Sequence, residues 1–358
     1  MNIFLTSPIS FPGLGIEGIN PPDGFCIPGT NFEIKFYGVI IAIGVLLAVT
    51  YCLRRAKQFG VTQDDILNLV LICLPSAIVG ARLYYVIFEW DQFFGPGIPW
   101  YRFLDIRSGG LAIYGGVIGA VLGMLIYTRV RKLKVLPFLD LTGIGLLLGQ
   151  AIGRWGNFFN REAHGSVTTC FLRMGLVENG ELQYFHPTFL YESVWNLTGF
   201  IVLHFLSKKR KFDGQMFLAY LAWYGAGRMV IEGLRTDSLM IPGTSLRASQ
   251  VLAFVLVVAA VILWVVKSVQ LKKTGKTQLY VDTEEGQLVV SGQFYQKKNK
   301  EQPQVEENFP GNGEPADALS ETEEIADEPQ PQEEAQSGET AAKESQPEEA
   351  ADTEDKQQ

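Results

Sequence analysis

The residues best suited to chemistry lie in one short segment, residues 153–165, at the end of a long apolar run. The segment contains two arginines, two asparagines, a glutamate and a histidine, namely Arg154, Asn157, Asn160, Arg161, Glu162 and His164. A guanidinium group has a planar set of N–H donors that suits phosphate oxygens. Charged groups at a membrane are costly and are read as functional by default. The segment therefore predicts a site for an anionic, hydrogen-bonding ligand at a membrane surface.

Other polar residues of the apolar regions lie at the same shallow depth. Tyr224, Arg228 and Glu232 are spaced at i, i+4 and i+8 and share one helical face. Near the outer ends of their own apolar runs lie Tyr37, Arg82, Tyr114, His186 and Glu192, within about 10 Å of the outer surface at 1.5 Å per residue. The inner part is nearly all apolar, apart from Asp140. Such a ring predicts a pocket for a phospholipid headgroup.

Seven apolar runs approach or reach the roughly 20 residues that a membrane helix needs. They cover residues 36–53, 66–88, 110–129, 135–153, 189–206, 215–234 and 248–268. The predicted fold class is therefore an all-α polytopic membrane protein with seven transmembrane helices.

Charge divides the chain and predicts its orientation. Residues 301–358 contain 19 acidic residues and two lysines, whereas the formal charge of the whole chain is -8. This composition predicts a disordered tail. Fifteen Lys and Arg residues follow spans 1, 3, 5 and 7, against eight in the longer segments on the other side, so the positive-inside rule places the C-terminus in the cytoplasm. The predicted regions are an extracytoplasmic segment (1–35), a membrane domain (36–275), a basic, polar connector (276–300) and the acidic tail (301–358).

Several residues keep a simpler interpretation. Arg82 could extend its charged end to the interface while its stem packs on lipid. Glu192 and Glu232 could pair with nearby arginines and hold them in place. Cys26 and Cys170 lie on the same outer side, and the sequence leaves open whether they form a disulfide.

Glycines repeat every four residues in spans 3 and 4, at 115, 119 and 123 and at 145, 149 and 153. Small residues at this spacing allow helix backbones to approach closely. We therefore expect spans 3 and 4 to pack together and to bring Tyr114 near Arg154.

Six sequence elements resemble those of the prolipoprotein diacylglyceryl transferase family, and the resemblance covers the body up to about residue 275. Besides residues 153–165, they are Phe36-Tyr37-Gly38, Gly80-Ala81-Arg82, residues 109–116, His186-Pro187-Thr188 with Leu190-Tyr191-Glu192, and residues 224–228 with Glu232 and Arg235. The resemblance implies a multi-pass enzyme of the bacterial plasma or inner membrane whose site faces outward. Such an enzyme moves the diacylglyceryl group of phosphatidylglycerol to the lipobox cysteine of a prolipoprotein signal peptide.

The same resemblance implies roles for individual residues. Arg154 would bind the phosphate and Arg228 would be the second arginine needed for catalysis. The lipid pocket would be shaped by Asn157, Glu162, Gly165, Tyr37, Arg82, Tyr224, Glu232 and His186. The implied partners are phosphatidylglycerol, prolipoproteins and membrane lipids, with no nucleic acid. No cofactor and no metal are expected.

Tyr114 departs from the pattern, because many relatives have a histidine there that has been favoured as the base. Two alternatives stay open. As a phenolate beside arginines, Tyr114 would accept the thiol proton. Otherwise it donates a hydrogen bond to the phosphate or glycerol, and the cationic site itself favours the thiolate.

Two other function classes remain. A transporter would distribute polar groups through the depth or break helices at the midplane, which the shallow ring disfavours. A non-catalytic scaffold would depend on the acidic tail. If the protein is an enzyme, we expect truncation after Lys276 to leave turnover within about twofold, because the tail and the site lie on opposite sides of the bilayer.

Overall fold

The computed structural model describes residues 8–29, 33–95, 97–106, 109–178, 180–236, 238–241, 243–275 and 279–294. It is mostly helical, and six of its helices are long and apolar enough to cross a membrane. In chain order the main helices are α1 (Phe36–Arg55), α2 (Gln63–Phe88), α3 (Ile113–Arg131), α4 (Val135–Asn160), α5 (Thr188–Leu206), α6 (Gln215–Ile231) and α7 (Ala248–Thr274).

Helices α6 and α4 do not end where the spans predicted for them, 215–234 and 135–153, end. Helix α6 has 17 residues, about 25 Å at 1.5 Å per residue, and it packs on α4, α5 and α7. Helix α4 continues to Asn160, beyond the predicted end at residue 153. Arg154 and Asn157 therefore project from a rigid helix, where the sequence placed them at or just past the end of a span.

Two polar residues at helix starts have structural roles. Thr62 precedes α2, and its hydroxyl accepts a hydrogen bond from the Asp65 backbone N–H, which satisfies one free donor of the first turn. Asp140 on α4 is fully buried. Its carboxylate accepts the backbone N–H groups of Gly214 and Phe217, both at 2.8 Å, and so caps the start of α6. Asp140 thus fixes α6 against α4.

The glycine repeats of α3 and α4 lie at helix interfaces, but the two repeats do not pack against each other. Gly115 and Gly119 on α3 pack against Gly80 and Ser76 of α2. On α4 the repeat faces α1, where a Cβ added at Gly44 would lie 3.1 Å from the Gly149 carbonyl oxygen. The prediction that α3 and α4 pack together was wrong, because each helix uses its small-residue face for a different neighbour. The bundle contains the close pairs α2–α3 and α1–α4.

Short strands accompany the helices, and the mostly helical architecture is consistent with the predicted all-α class. A four-stranded antiparallel sheet has the order β2-β1-β5-β6, from strands β1 (Ile9–Phe11), β2 (Ile16–Ile19), β5 (Met174–Glu178) and β6 (Glu181–Phe185). A hairpin pairs β3 (Gly24–Cys26) with β4 (Glu33–Lys35) and leads into α1. Apolar residues of the larger sheet pack with Phe158 and Phe189 at the ends of α4 and α5. The sheet therefore anchors the segment that joins these two helices.

The predicted connector is partly folded onto the body. A 3-10 turn (Tyr280–Asp282) and helix α8 (Glu284–Val290) follow α7. Tyr280 and Val289 are buried, and the Tyr280 N–H donates to the Asp213 carboxylate at 2.7 Å. Burial raises the pKa of Asp213, and this hydrogen bond opposes the shift. The acidic tail (301–358) lies outside the described residues, and the prediction of disorder there stays a prediction.

We expect deletion of residues 301–358 and truncation after Lys276 to differ in their effect on stability. Deleting 301–358 should leave turnover within about twofold. Truncation after Lys276 should lower the unfolding temperature in detergent, because it removes two buried side chains worth roughly 1.5–3 kcal/mol each. Fluorescence-detected thermal unfolding of the two truncated proteins checks this. Equal unfolding temperatures would show that residues 279–294 contribute nothing to stability.

Candidate active site

One buried carboxylate organises the candidate site. Glu192 lies in the first turns of α5 with only 3% of its surface exposed. Its oxygens contact guanidinium nitrogens of Arg154 on α4 at 2.7 Å, of Arg228 on α6 at 3.0 Å and of Arg235 at 3.6 Å. These three arginines, Glu192 and Glu232 are the arginine cluster. Because three guanidinium groups share one carboxylate, α4, α5, α6 and the segment that carries Arg235 meet at one point.

Glu232 holds the other terminal nitrogen of the Arg228 guanidinium. It lies one turn after Arg228, forms an ion pair with it and accepts a hydrogen bond from the Ser249 hydroxyl at 2.5 Å. Its backbone carbonyl accepts a hydrogen bond from Arg247 just before α7. The Arg228 guanidinium is therefore fixed between two carboxylates, and α7 is tied to the same cluster.

Arg154 is held less completely. Its described contact is one ion pair through Nη2, and 22% of its side chain is exposed. A guanidinium group has five N–H donors, so Arg154 can offer donors to a ligand without leaving Glu192. The cluster contains three arginines and two carboxylates, which gives it a formal charge of +1. Its charge and its available donors suit a phosphodiester anion.

Polar residues at the end of α4 and just after it line a cavity. Asn157 donates to the Glu162 carboxylate at 2.9 Å, and Glu162 lines a cavity of about 340 Å³ with Asp23, Lys35, Tyr37 and Asn160. The Tyr37 ring packs against Gly156, where an added Cβ would lie 2.8 Å from it. Two predicted site residues, Tyr37 and Glu162, therefore meet at this cavity.

Arg161 closes the end of α4 in a left-handed conformation, with φ of 54°. Its guanidinium donates to the Asp23 carboxylate at 2.9 Å and to Asn20 at 3.0 Å. Burial lowers the pKa of Arg161, and Asp23 opposes that shift. This arginine of the signature segment ties the N-terminal segment to α4 and belongs to neither the arginine cluster nor the cavity lining.

Gly165 is a point of close contact. Its N–H donates to the His186 carbonyl at 2.9 Å, and an added Cβ would lie 2.7 Å from the His186 Cβ and 2.9 Å from the Leu234 carbonyl. Gly165 also forms a bridge with Arg235. The His186 ring is 3.3 Å from the Tyr191 hydroxyl. These two predicted residues join the loop after α4 to the start of α5 and to the segment that carries Arg235.

Arg82 does not fit the prediction of a headgroup ligand. It is buried, and all five N–H donors are used by backbone carbonyls, at 2.7–3.1 Å. The acceptors belong to Arg102, Phe103, Asp105, Gly109 and Gly110. Its guanidinium also lies 4.7 Å above the Phe93 ring. Arg82 therefore organises the loop between α2 and α3, and the interfacial interpretation does not fit either.

Two predicted residues remain. Tyr224 lies near the cluster, and Tyr114 lies on the α2–α3 pair. Tyr224 is one turn before Arg228 and stacks on Tyr220, with ring centres 5.8 Å apart. Tyr114 is in the first turn of α3, with its ring centre 6.4 Å from that of Tyr84 on α2. Because α3 pairs with α2, the reason for expecting Tyr114 beside Arg154 no longer holds.

Sequence reasoning underestimated two residues. Glu192 was weighed as structural support, and Arg235 was not among the predicted site residues. The signal for Glu192 was a carboxylate one turn into an apolar helix, which needs a cationic partner when buried. All four cysteines are free, and the Cys170 thiol lies 3.6 Å from the Tyr191 hydroxyl. Within the described ranges, no group of three His, Cys, Asp or Glu side chains could hold a metal ion.

Fold and site together define a class: a multi-pass helical membrane protein with a shielded arginine cluster and a cavity lined by polar side chains. The model of the prolipoprotein diacylglyceryl transferase family matches residues 25–266, and the chain belongs to this family. The folded segment 279–294 lies beyond the matched region.

Relatives named phosphatidylglycerol–prolipoprotein diacylglyceryl transferase match at high identity. The Clostridium novyi protein is 42% identical over 254 residues, which is 69% of this chain and 96% of the relative. The Enterococcus faecalis protein is 45% identical over 247 residues, 66% of this chain and 87% of the relative. The Streptococcus mutans protein is 46% identical over 244 residues, which is 65% of this chain and 91% of the relative.

We expect Glu192→Gln to be among the most damaging single changes. It would remove the charge that three guanidinium groups share, and breaking a buried ion pair costs about 3–5 kcal/mol. The unfolding temperature should fall and turnover should drop more than tenfold. Glu178→Gln is the control, because Glu178 is 42% exposed and pairs with His164 outside the cluster. A stable and fully active Glu192→Gln enzyme would contradict the organising role.

Proposed function

We propose that this protein transfers the diacylglyceryl group of phosphatidylglycerol to the thiol of a prolipoprotein lipobox cysteine. The products are a thioether and glycerol 1-phosphate. The observation that carries the proposal is the arginine cluster. In it the shared Glu192 carboxylate holds Arg154, and N–H donors of Arg154 remain available to a ligand. Family membership and the names of the relatives support the same reaction.

The proposed topology has seven membrane spans with the site toward the extracytoplasmic side. Six helices meet the length and hydropathy that a span requires. We include α6 as the seventh, because 17 residues is the lower end of the usual range and both neighbouring helices contact it. The cation distribution supports a cytoplasmic C-terminus in a bacterial plasma or inner membrane.

In the proposed mechanism, the cysteine thiolate attacks the glyceryl carbon that bears the phosphate. A C–S bond forms and the C–O bond breaks, with the electron pair leaving on the phosphate oxygen. The phosphodiester carries one negative charge, and the phosphomonoester that leaves gains a second. Arg154 and Arg228 stabilise this growing charge. The thiol proton passes to a base or to water at the outer surface.

The two arginines contribute differently in this proposal. Arg154 has one described partner and can form a two-pronged contact with the phosphate. Arg228 is fixed on both sides, by Glu192 and Glu232, so its charge is oriented before the lipid arrives. Pre-oriented charge lowers the barrier because little reorganisation is needed during the reaction.

We expect Arg154→Lys to lower turnover by about 10²-fold or more, because lysine keeps the charge but loses the planar pair of donors. Arg228→Ala should be equally damaging. The assay contains purified enzyme, phosphatidylglycerol vesicles and a lipobox peptide, and mass spectrometry detects the thioether. Arg173→Lys is a control, since Arg173 lies beside the four-stranded sheet and contacts Tyr184. Near-normal turnover by a folded Arg154→Lys enzyme would reject the phosphate assignment.

Tyr114 gives a separate prediction about the base. If its phenolate accepts the thiol proton, Tyr114→Phe should nearly abolish turnover. If the hydroxyl only orients the substrate, the loss should be about tenfold. Tyr114→His should stay active in both cases, because it introduces an imidazole that can also serve as a base. Tyr84→Phe is the matched control on the neighbouring helix. A folded but inactive Tyr114→His enzyme would show that position 114 does not face the reacting atoms.

A further inference from the structure

Two tryptophans join α5 and α6 by a reciprocal pair of hydrogen bonds. The indole N–H of Trp195 donates to the Trp223 carbonyl at 2.9 Å, and that of Trp223 donates to the Trp195 carbonyl at 3.0 Å. The two rings stack, with centres 4.8 Å apart and planes inclined by 25°. Each side chain therefore bonds to the backbone of the opposite helix.

A glycine makes each of these bonds possible. Gly199 follows Trp195 by four residues, and Gly227 follows Trp223 by four. In an α-helix the carbonyl of residue i already accepts the N–H of residue i+4. Both glycines are buried, and a Cβ at either would clash with the indole nitrogen that approaches from the other helix. Trp195, Gly199, Trp223 and Gly227 thus form a two-sided device, which we call the tryptophan clasp.

The clasp lies next to the arginine cluster. Trp195 is three residues after Glu192 on α5, and Gly227 immediately precedes Arg228 on α6. The ion pair between Glu192 and Arg228 joins the same two helices at 3.0 Å. Two opposed hydrogen bonds resist both sliding and rotation of one helix against the other. The clasp therefore fixes the register in which Arg228 meets Glu192.

In a membrane, hydrogen bonds between helices have a large share in their association. Lipid tails are as apolar as the helix surfaces, so burial drives helix association weakly, and packing and hydrogen bonds decide it. Trp195 is 36% exposed on the outside of the bundle, where lipid would surround it. A displacement of about 1 Å at a catalytic group is enough to lower a rate by about 10²-fold.

We propose that Trp195 and Trp223 are positioning residues that set Arg228 for the transfer reaction. They do not touch the lipid phosphate themselves. This inference rests on the assignment of Arg228 to the phosphate site. It predicts that loss of the indole donors lowers kcat while the KM for phosphatidylglycerol changes little, since Arg154 still binds the lipid.

The test compares Trp195→Phe, Trp223→Phe and the double variant in the vesicle assay. The double variant should have a kcat about tenfold lower, with KM within twofold and turnover normalised to folded protein. Trp264→Phe is the matched control, a partly buried tryptophan on α7 outside the clasp. An unchanged kcat in the folded double variant would overturn the proposal, even if its unfolding temperature fell.

A second substitution keeps the test independent of packing. Replacing Trp195 or Trp223 by 3-benzothienylalanine keeps the ring shape and removes only the N–H donor. We expect a loss of kcat similar to that of the phenylalanine variants, and wild-type kcat in both replaced enzymes would overturn the proposal. Arg228→Ala is assayed in parallel. If that enzyme is active, the phosphate assignment fails; if it is inactive while the clasp variants are normal, only the clasp proposal fails.

Discussion

The structure of the site depends on one ionic constraint, the sharing of the Glu192 carboxylate by three guanidinium groups. A buried carboxylate without cations would be costly, and so would three arginines without a counter-charge. Neither partner is stable at this depth alone. The ends of α4 and α5, the end of α6 and the segment with Arg235 are therefore held together by charge. The cluster keeps one excess positive charge, which is what an anionic substrate requires.

Glycines, caps and hydrogen bonds supplement the apolar core of the bundle, because lipid gives apolar burial little power to hold helices together. Helices α2 and α3, and α1 and α4, approach through small-residue faces. Asp140 caps α6 from α4, and Arg82 saturates its donors with loop carbonyls. Each device satisfies polar groups that would be expensive if left exposed to lipid. Rigid support of this kind keeps the arginine cluster in place before the substrate binds.

Polar residues of similar type thus have different tasks, and their contacts distinguish them. Arg82 uses every donor on the backbone, Arg161 ties the N-terminal segment to α4, and Arg228 is fixed between carboxylates. Arg154 keeps donors available. An arginine can donate hydrogen bonds to a ligand only to the extent that the fold leaves its donors unsatisfied. That criterion, rather than sequence position, separates Arg154 from the structural arginines Arg82 and Arg161, whereas the proposed role of Arg228 is to supply an oriented charge.

The sequence by itself determined the membrane class and the family, and six of the seven spans that it predicted meet the requirements of length and hydropathy. It also indicated that polar residues collect near one surface. These properties are local, because hydropathy, motif spacing and i, i+4 faces are encoded in neighbouring residues. Only the tertiary structure decided that the glycine repeats of α3 and α4 face different partners, that residues 9–19 join a sheet, and that Tyr280 and Val289 are buried. It also decided which arginines share Glu192. A small-residue face predicts that a helix packs closely on another helix, and a charge predicts an ion pair, but neither identifies the partner. The partner depends on which distant helices compete for the same contacts.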